Sequence, residues 1–486
     1  LMRLYAAMGR PTLAAEQFEN CMDLLQTELG IGPDESTISL YHQLGLESYG
    51  KGHGEPEEAG RKKPGHRAGK IPVEPLSADP LREARLLLAK GESMALEGES
   101  AEGLALLEKA LKIYERFGGV AAKARLILGE AMLWLSVPLR PVMGQTLRQK
   151  AIGHLKGAAE YYRQNGLSFE LARTLLLLAA ACWNEGNNGE AAAVAREGLE
   201  LARRLGDQET EGVLATLLGM ALRELFRLAE ARAAFARAVE AMPGLTNAWY
   251  IQWLLFQRGI LSYITGDLAE AEGFLREAMA LNKSIAFPGL QAKIGECMIR
   301  NMFLVVFHHQ DRRAEMAEYV IPPNMEKYNP ESFVYLDPLF YRAKDPAAIL
   351  PDLAEWLRVR FYRLSQPMLA CTIRVVVEEM LAAGMTEEAA RWAAVGIRQA
   401  RVRGWQAIQA LFYAHRAVAL ARLGRLGEAE RCRWRAEEYV EEIDRWAPAW
   451  LARADGAIAR ARGDRAEAAR CFAQSIRLFK QMGAIY

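Results

Sequence analysis

The stretch from Gly266 to Leu281, GDLAEAEGFLREAMAL, decides how the rest of the chain is read. It sets a glycine first, a small residue (Ala271) five positions on, Leu275 next, and a second small residue (Ala278) seven beyond Ala271. Glycine tolerates the positive φ that ends a helix. Glu270-Ala271 then opens the following helix, with a carboxylate near the N-terminus where the helix dipole favours it. The same unit returns along the chain. Gly463 and Ala468 lie in GDRAEAARCFAQSIRL, and Gly424, Ala429 and Ala436 lie in GRLGEAERCRWRAEEY. Phe226 takes the place of the glycine in FRLAEARAAFARAVEA, which keeps Ala231 and Ala238. Weaker copies pair Gly98 with Ala110, Gly186 with Ala191 and Gly384 with Ala389. The alanine intervals 191–231, 231–271 and 389–429 are each 40 residues, and 429–468 is 39. A fixed period of this size is the mark of stacked helix pairs, none of which can bury its apolar face alone.

Seven positions before the turn, Gly91, Gly219, Gly259 and Gly456 fall inside the first helix of their units, where glycine costs about 1 kcal/mol against alanine. Close approach of the partner helix is the physical reason to keep a glycine there. The small-large-small rhythm of Gly259, Gly266, Ala271, Leu275 and Ala278 resembles the tetratricopeptide repeat, with a period near 40 in place of about 34. Arrays of this longer period resemble the sensor segments of large bacterial transcription regulators. The resemblance implies an all-α fold: a right-handed α-solenoid of helix pairs.

The spacing adds a unit around Ala151, Leu155 and Ala158, entered through the proline-bearing insert Val137 to Met143. Two degenerate units fit between Ala271 and Ala389, whose interval of 118 is close to three periods. On this reading residues 81–319 form the first half of the array and 352–486 the second, about ten helix pairs in all. Between them, residues 320–351 carry Pro322, Pro323, Pro330, Pro338, Pro346 and Pro351, a density that forbids a long helix and predicts a break, hinge or loop. The C-terminal CFAQSIRLFKQMGAIY stops just after a turn, with no capping helix for its apolar face. With Leu1 starting mid-pattern, the expectation is a fragment of a longer polypeptide.

Residues 1–46, LMRLYAAMGRPTLAAEQFENCMDLLQTELGIGPDESTISLYHQLGL, read as a helical hairpin plus a third helix. Gly9 marks the turn, Gly30 ends the second helix, and Asp34 to Ser36 cap the helix that carries Ile38, Leu40 and Tyr41. This string resembles the C-terminal part of the bacterial transcriptional activator domain of antibiotic-regulatory-protein type transcription factors. The matching positions are Leu1 to Leu4, Tyr5, Gly9-Arg10, Ala15, Phe18, Glu19, Leu25, Glu28-Leu29-Gly30 and Leu40-Tyr41; Phe18 and Gly32 stand where the family often has Tyr and Glu. The resemblance implies a winged-helix DNA-binding domain upstream of Leu1, through which DNA and RNA polymerase would be engaged. Residues 1–46 do not replace it, because Arg3 and Arg10 face six carboxylates for a net charge of −4.

Composition excludes little else. The 486 residues carry 61 Lys+Arg against 60 Asp+Glu, a net charge of +1, so the whole chain is not a polyanion binder. A 51% hydrophobic content supports a folded core. The longest apolar run, Leu175 to Trp183, is about half a membrane span. Cys21, Cys182, Cys297, Cys371, Cys432 and Cys471 are scattered without a CxxC pair, which predicts neither a zinc site nor a disulfide framework and points to the cytoplasm. Residues 47–80 are rich in Gly, Pro and mixed charge and read as a flexible linker. Within it, Gly65-His66-Arg67-Ala68-Gly69-Lys70-Ile71 fails as a phosphate loop: three residues separate the glycines where four are needed, and Ile71 stands where Ser or Thr would hold magnesium.

No nucleophile is paired with a base in a recognisable catalytic motif, so the expectation is a protein that is not an enzyme, with no cofactor and no metal. His308-His309 with Asp311 reads as a surface turn, since adjacent helix residues diverge by about 100°. His42, His53, His66, His154 and His415 read as isolated. Residues 391–486 carry a local net charge of +8, including Arg431, Arg433 and Arg435 around Trp434, and read as solvated helix faces with i to i+4 pairing. In repeats of this kind, positions 2, 5, 9 and 12 of the first helix usually look into the groove. They include Arg223, Trp253, Phe256, Tyr263, Trp450, Arg453 and Arg460, side chains suited to gripping a peptide, a protein segment or a small inducer.

The reading is therefore the sensory and protein-interaction portion of a bacterial transcriptional activator, without membrane association and able to form a homodimer. The alternatives are a repeat adapter without a DNA role, or the regulatory arm of a cyclase or kinase.

Overall fold

The structure, a computed structural model, describes residues 18, 38–39, 41–42, 80–97, 100–117, 121–136, 141–244, 248–284, 290–322 and 366–485. The chain divides into two compact units, Leu1–Glu74 and Pro75–Tyr486. In the first, Phe18 is buried and stacks on Tyr41 with ring centroids 4.1 Å apart. The remainder of the activator-like segment and the linker through residue 79 lie outside the described residues, as does most of the proline-rich break and the start of the second half, residues 323–365.

The second unit is a run of helix pairs, with no strand among the described residues. In chain order they are α1 (Pro80–Glu97) with α2 (Ser100–Phe117), α3 (Ala121–Ser136) with α4 (Pro141–Gln164), and α5 (Ser168–Asn184) with α6 (Asn188–Leu205). Next come α7 (Gln208–Glu224) with α8 (Leu228–Glu240), α9 (Ala248–Thr265) with α10 (Leu268–Ser284), and α11 (Leu290–His309) with the single turn α12 (Arg313–Met316). The last are α13 (Gln366–Ala382) with α14 (Thr386–Arg403), α15 (Gln406–Arg422) with α16 (Leu426–Glu437), and α17 (Trp446–Ala461) with α18 (Arg465–Met482). Within residues 80–316 and again within 366–482, successive helices pack against each other in chain order, as an α-solenoid requires.

The turns follow the chemistry the repeat implies. Gly266 adopts a φ of +87° and Gly463 of +86°, and Asp267 and Asp464 behind them accept the N–H of Glu270 and Glu467 at 3.1 and 3.0 Å, capping the next helix. Phe226 sits at the same turn position with a φ of +53°, where a bulky side chain costs about 1–3 kcal/mol. Its ring, 1% exposed, packs 5.4 Å from that of Trp405, and that burial offsets the strain. Asp311 also has a φ of +53° and is followed five residues later by the buried Met316. This turn falls in the interval where the spacing fits two degenerate units, and Met316 stands where a small alanine would mark the register.

The in-helix glycines are sites of close packing. A Cβ on Gly219 would lie 2.6 Å from the Phe235 ring, one on Gly456 2.7 Å from Phe472, and one on Gly91 2.9 Å from Leu107. At Gly259 the contact is looser, 3.2 Å from Leu275.

Two apolar cores result. A smaller one joins α1 to α4 through Ala84, Leu107, Leu128 and Ala151. The larger runs from Ala122 to Ala484 and holds residues of both halves of the array. Each buried Leu or Phe in it contributes about 1.5–3 kcal/mol. Part of the apolar face of α18 is covered: Phe479, Met482 and Ala484 are buried while Ile476 stays exposed, and the Ile485 N–H donates to the His309 carbonyl at 2.8 Å.

Candidate functional site

Helix α13 begins its central turns with CTIRVVVEEML, an apolar run interrupted by Arg374 and, four residues on, Glu378. Residues four apart share a helix face. Here that face is also the buried one, with Ala370 and Val377 fully covered, and both charged side chains are at most 2% exposed. Arg374 Nε donates to Glu378 Oε1 at 2.9 Å. Two histidines complete the cluster: His309 Nε2 lies 3.4 Å from Glu378 Oε2, and His415 Nε2 3.2 Å from Oε1. Burial pushes the Glu378 carboxyl upward, but the Arg374 charge and the two imidazoles overcome it and hold the group well below the usual carboxylate range. Burial holds His309 and His415 below theirs, so both rest neutral at pH 7. Among the described residues no group of three or more His, Cys, Asp and Glu side chains is arranged to hold a metal ion.

The cluster lies where the end of the array meets its middle. The Arg374 guanidinium sits 3.9 Å over the Trp446 ring and 5.6 Å from that of Tyr263. Trp446 Nε1–H donates to the Tyr263 carbonyl at 2.9 Å, bridging 183 residues of sequence. Beside it, the Arg445 N–H donates to the Thr265 carbonyl at 3.0 Å, and the Arg445 side chain pairs with Asp267 at 3.1 Å. Asp444 is buried; its Oδ1 accepts the N–H groups of Trp446 and Ala447 at 2.8 and 3.3 Å, starting α17. Burial pushes its carboxyl up to about 7 against those bonds and the Arg374 charge. Helices α9 and α11 are thus joined to α13, α15 and α17 by one buried polar seam.

The seam revises two of the histidine readings. His308 and His309 are not a surface turn: His309 is 2% exposed, and consecutive glutamates of α13 meet the pair, with His308 Nε2 2.9 Å from Glu379 Oε1. His415 is not isolated but fully buried against Glu378 and the Trp450 ring.

The seven groove candidates fall into two groups. Arg223, Phe256, Tyr263 and Trp450 are buried. Arg223 donates to Glu224 at 2.7 Å and to Gln257, Tyr263 packs edge-on against His309 and Trp446, and Trp450 packs against His415 and Phe479. Tyr263 Oη is a buried hydroxyl with no hydrogen-bond partner among the described residues. Trp253, Arg453 and Arg460 retain exposure. Trp253 Nε1 reaches Met220 Sδ at 3.3 Å and its ring stacks 5.8 Å from Trp249, Arg453 lies 5.2 Å over Trp450, and Arg460 lies 5.7 Å over Phe472. Four of the seven candidates are thus packed inside the array, and three keep exposure. Of the arginines around Trp434, Arg433 pairs with Glu437 on its own helix and with Asp455 of α17 at 2.7 Å, and Arg435 pairs with Glu438 at 2.8 Å.

No protein family and no curated protein matches the chain. Among solved structures it is similar to a Rap protein complexed with competence and sporulation factor, at 14% identity over 66% of this chain and 99% of that one, with a TM-score of 0.47. It is also similar to a circular tandem repeat protein with novel repeat topology and enhanced subunit contact surfaces, at 15% identity over 83% and 90% of the two chains, with a TM-score of 0.19. No helix among the described residues is long and apolar enough to cross a membrane.

Proposed function

We propose that this chain is the sensory and protein-interaction array of a bacterial transcriptional activator. It works in the cytoplasm without chemistry of its own, and its signal is the opening and closing of the seam between α9–α11 and α13–α17. One observation carries the reading: residues 183 positions apart are joined through buried charged and aromatic groups. A buried ion pair adds little net stability over an apolar contact, yet losing one partner is costly, which makes such a seam open or closed with little between. A protein or peptide partner that binds the first helices better in one arrangement shifts that balance by its difference in affinity, and no more. The activator-like signature of residues 1–46 supports transcription as the output and separates this reading from an adapter or a cyclase or kinase arm.

The test is to tag the protein at its own locus, map its occupancy along the chromosome, and measure transcripts after deletion. Occupancy at discrete promoters whose transcripts fall on deletion is the expected result. Absence of promoter occupancy, with stable protein complexes recovered, would establish the adapter reading in its place.

A further inference from the structure

A cavity of about 370 Å³ opens between α8, α9 and α10 and is walled on the remaining side by Arg445, the residue leading into α17. Its charges are unevenly matched. Arg445 is paired with Asp267 at 3.1 Å, Asp267 also accepts the Glu270 N–H, and the Glu270 carboxylate accepts the Ser262 hydroxyl at 2.6 Å. Among the described residues neither Arg232 nor Arg258 reaches a carboxylate at ion-pair distance. Arg232 Nη2 donates to the Thr265 hydroxyl at 3.3 Å, and the Arg258 guanidinium lies 3.9 Å over the Phe274 ring. Burial pulls Arg258 below its ordinary range, against the charges of Glu270 and Glu277. A half-buried cation without a hydrogen-bonded anion is an unfavourable arrangement that an anionic ligand relieves. A guanidinium seated over a ring, as Arg258 is over Phe274, still has N–H groups for the two-pronged bonding that phosphate and carboxylate accept.

We propose that this cavity binds a small oxyanion, a phosphate monoester or a dicarboxylate, with Arg258 and Arg232 as its charge partners and Phe274 packed beneath Arg258. Arg232, Arg258 and Arg445 outnumber Asp267 and Glu270 by one positive charge, which favours an anion, and the volume suits a small metabolite. Because Arg445 belongs to the seam, an occupant touching it binds the closed arrangement better than the open one, and so stabilises closure. The site supplies the small-molecule side of the sensing role above and rests on that reading only for its consequence, since binding is measured on the chain alone.

The experiment is calorimetric titration of the full chain with inorganic phosphate and, separately, with succinate, at fixed ionic strength set by potassium chloride, with thermal unfolding alongside. Saturable binding of at least one probe is expected, with a raised Tm. Arg258→Met, which keeps the stem on Phe274, and Arg232→Ala, at an exposed position, are each expected to weaken binding about tenfold or more. Glu270→Gln removes a carboxylate from the cavity wall and is expected to tighten it severalfold, while Arg398→Met on the exposed face of α14 leaves it unchanged. Binding of phosphate alone identifies a phosphate monoester, of succinate alone a dicarboxylate, and of both a recognition of charge. Failure of both probes, or binding that neither arginine variant weakens, overturns the proposal. Should the Arg258 variant not fold, Arg232→Ala decides. Loss of promoter occupancy in cells bears on the regulatory reading and leaves these titrations standing.

Discussion

Helices α5 to α8 and the seam solve the same problem of burial by opposite means. In α5 to α8 each helix packs on its neighbours in sequence through Leu175, Leu199, Leu214 and Phe235, set among alanines that let the backbones approach. In the seam, Tyr263 and His309 meet Arg374, Glu378, His415 and Trp446 from the far end of the array. Neighbour packing is short-ranged and nearly additive, so damage to one pair stays near that pair. In the seam Arg374, Glu378 and the two histidines depend on one another, so loss of one strands the rest in a dry interior.

The sharpest way to break this comparison is Glu378→Ala. It leaves Arg374 buried beside two histidines without its carboxylate, and a loss of about 3–5 kcal/mol is expected in urea unfolding followed by tryptophan fluorescence. A loss under about 1 kcal/mol would show the network to be dispensable.

Asp444 tests the seam through pH. Folded, its carboxyl titrates at about 7; unfolded, it does so near 4. Between those values the native state holds the extra proton, so this group's contribution falls as pH rises from about 4 to 7 and is constant above. His309 and His415, held neutral by burial, act with the opposite slope below about 6.5, and Glu378 loses its contribution as pH drops beneath the usual carboxylate range. Comparing wild type with Asp444→Asn cancels those shared terms. The stability of the variant relative to wild type is expected to rise from pH 4 to 7, by at most about 4 kcal/mol, then level off. A pH-independent difference would place Asp444 in contact with water.

In the regular region, Gly219→Ala drives a methyl into the Phe235 ring and is expected to cost about 1–3 kcal/mol, with hydrogen exchange rising in α7 and α8 and unchanged in α17. Smallest of all, Arg163→Ala removes an exposed pair with Glu197, 2.8 Å apart, and should shift stability by no more than about 1 kcal/mol, less at high salt.

Legibility in the sequence follows the same division. Turn glycines, small alanines and in-helix glycines act within one pair, so the 40-residue period exposes them, and even Phe226 stands in register. Contacts between residues 263 and 446 leave no periodic trace. Arg374 and Glu378 could have been found as an i, i+4 charged pair inside an apolar run, the one local sign that something polar had to face them. His415 and His309 carry no such sign, because a histidine within an apolar helix reads alike whether it faces a carboxylate or a backbone carbonyl. Tyr263 and Trp450 were legible as inward-facing positions, but what they face depends on how the array returns on itself.

Two backbone bonds, from Arg445 and Ile485, close the array, and amide hydrogen exchange reads them directly. In the full chain at neutral pH, the N–H groups of Arg445 and Ile485, which donate to Thr265 and His309, are expected to be protected as strongly as the interior of α17, and to lose that protection together in Glu378→Ala. Exchange at both amides at the rate of an open loop, with α17 still protected, would mean that the array stands open and that the seam does not hold it.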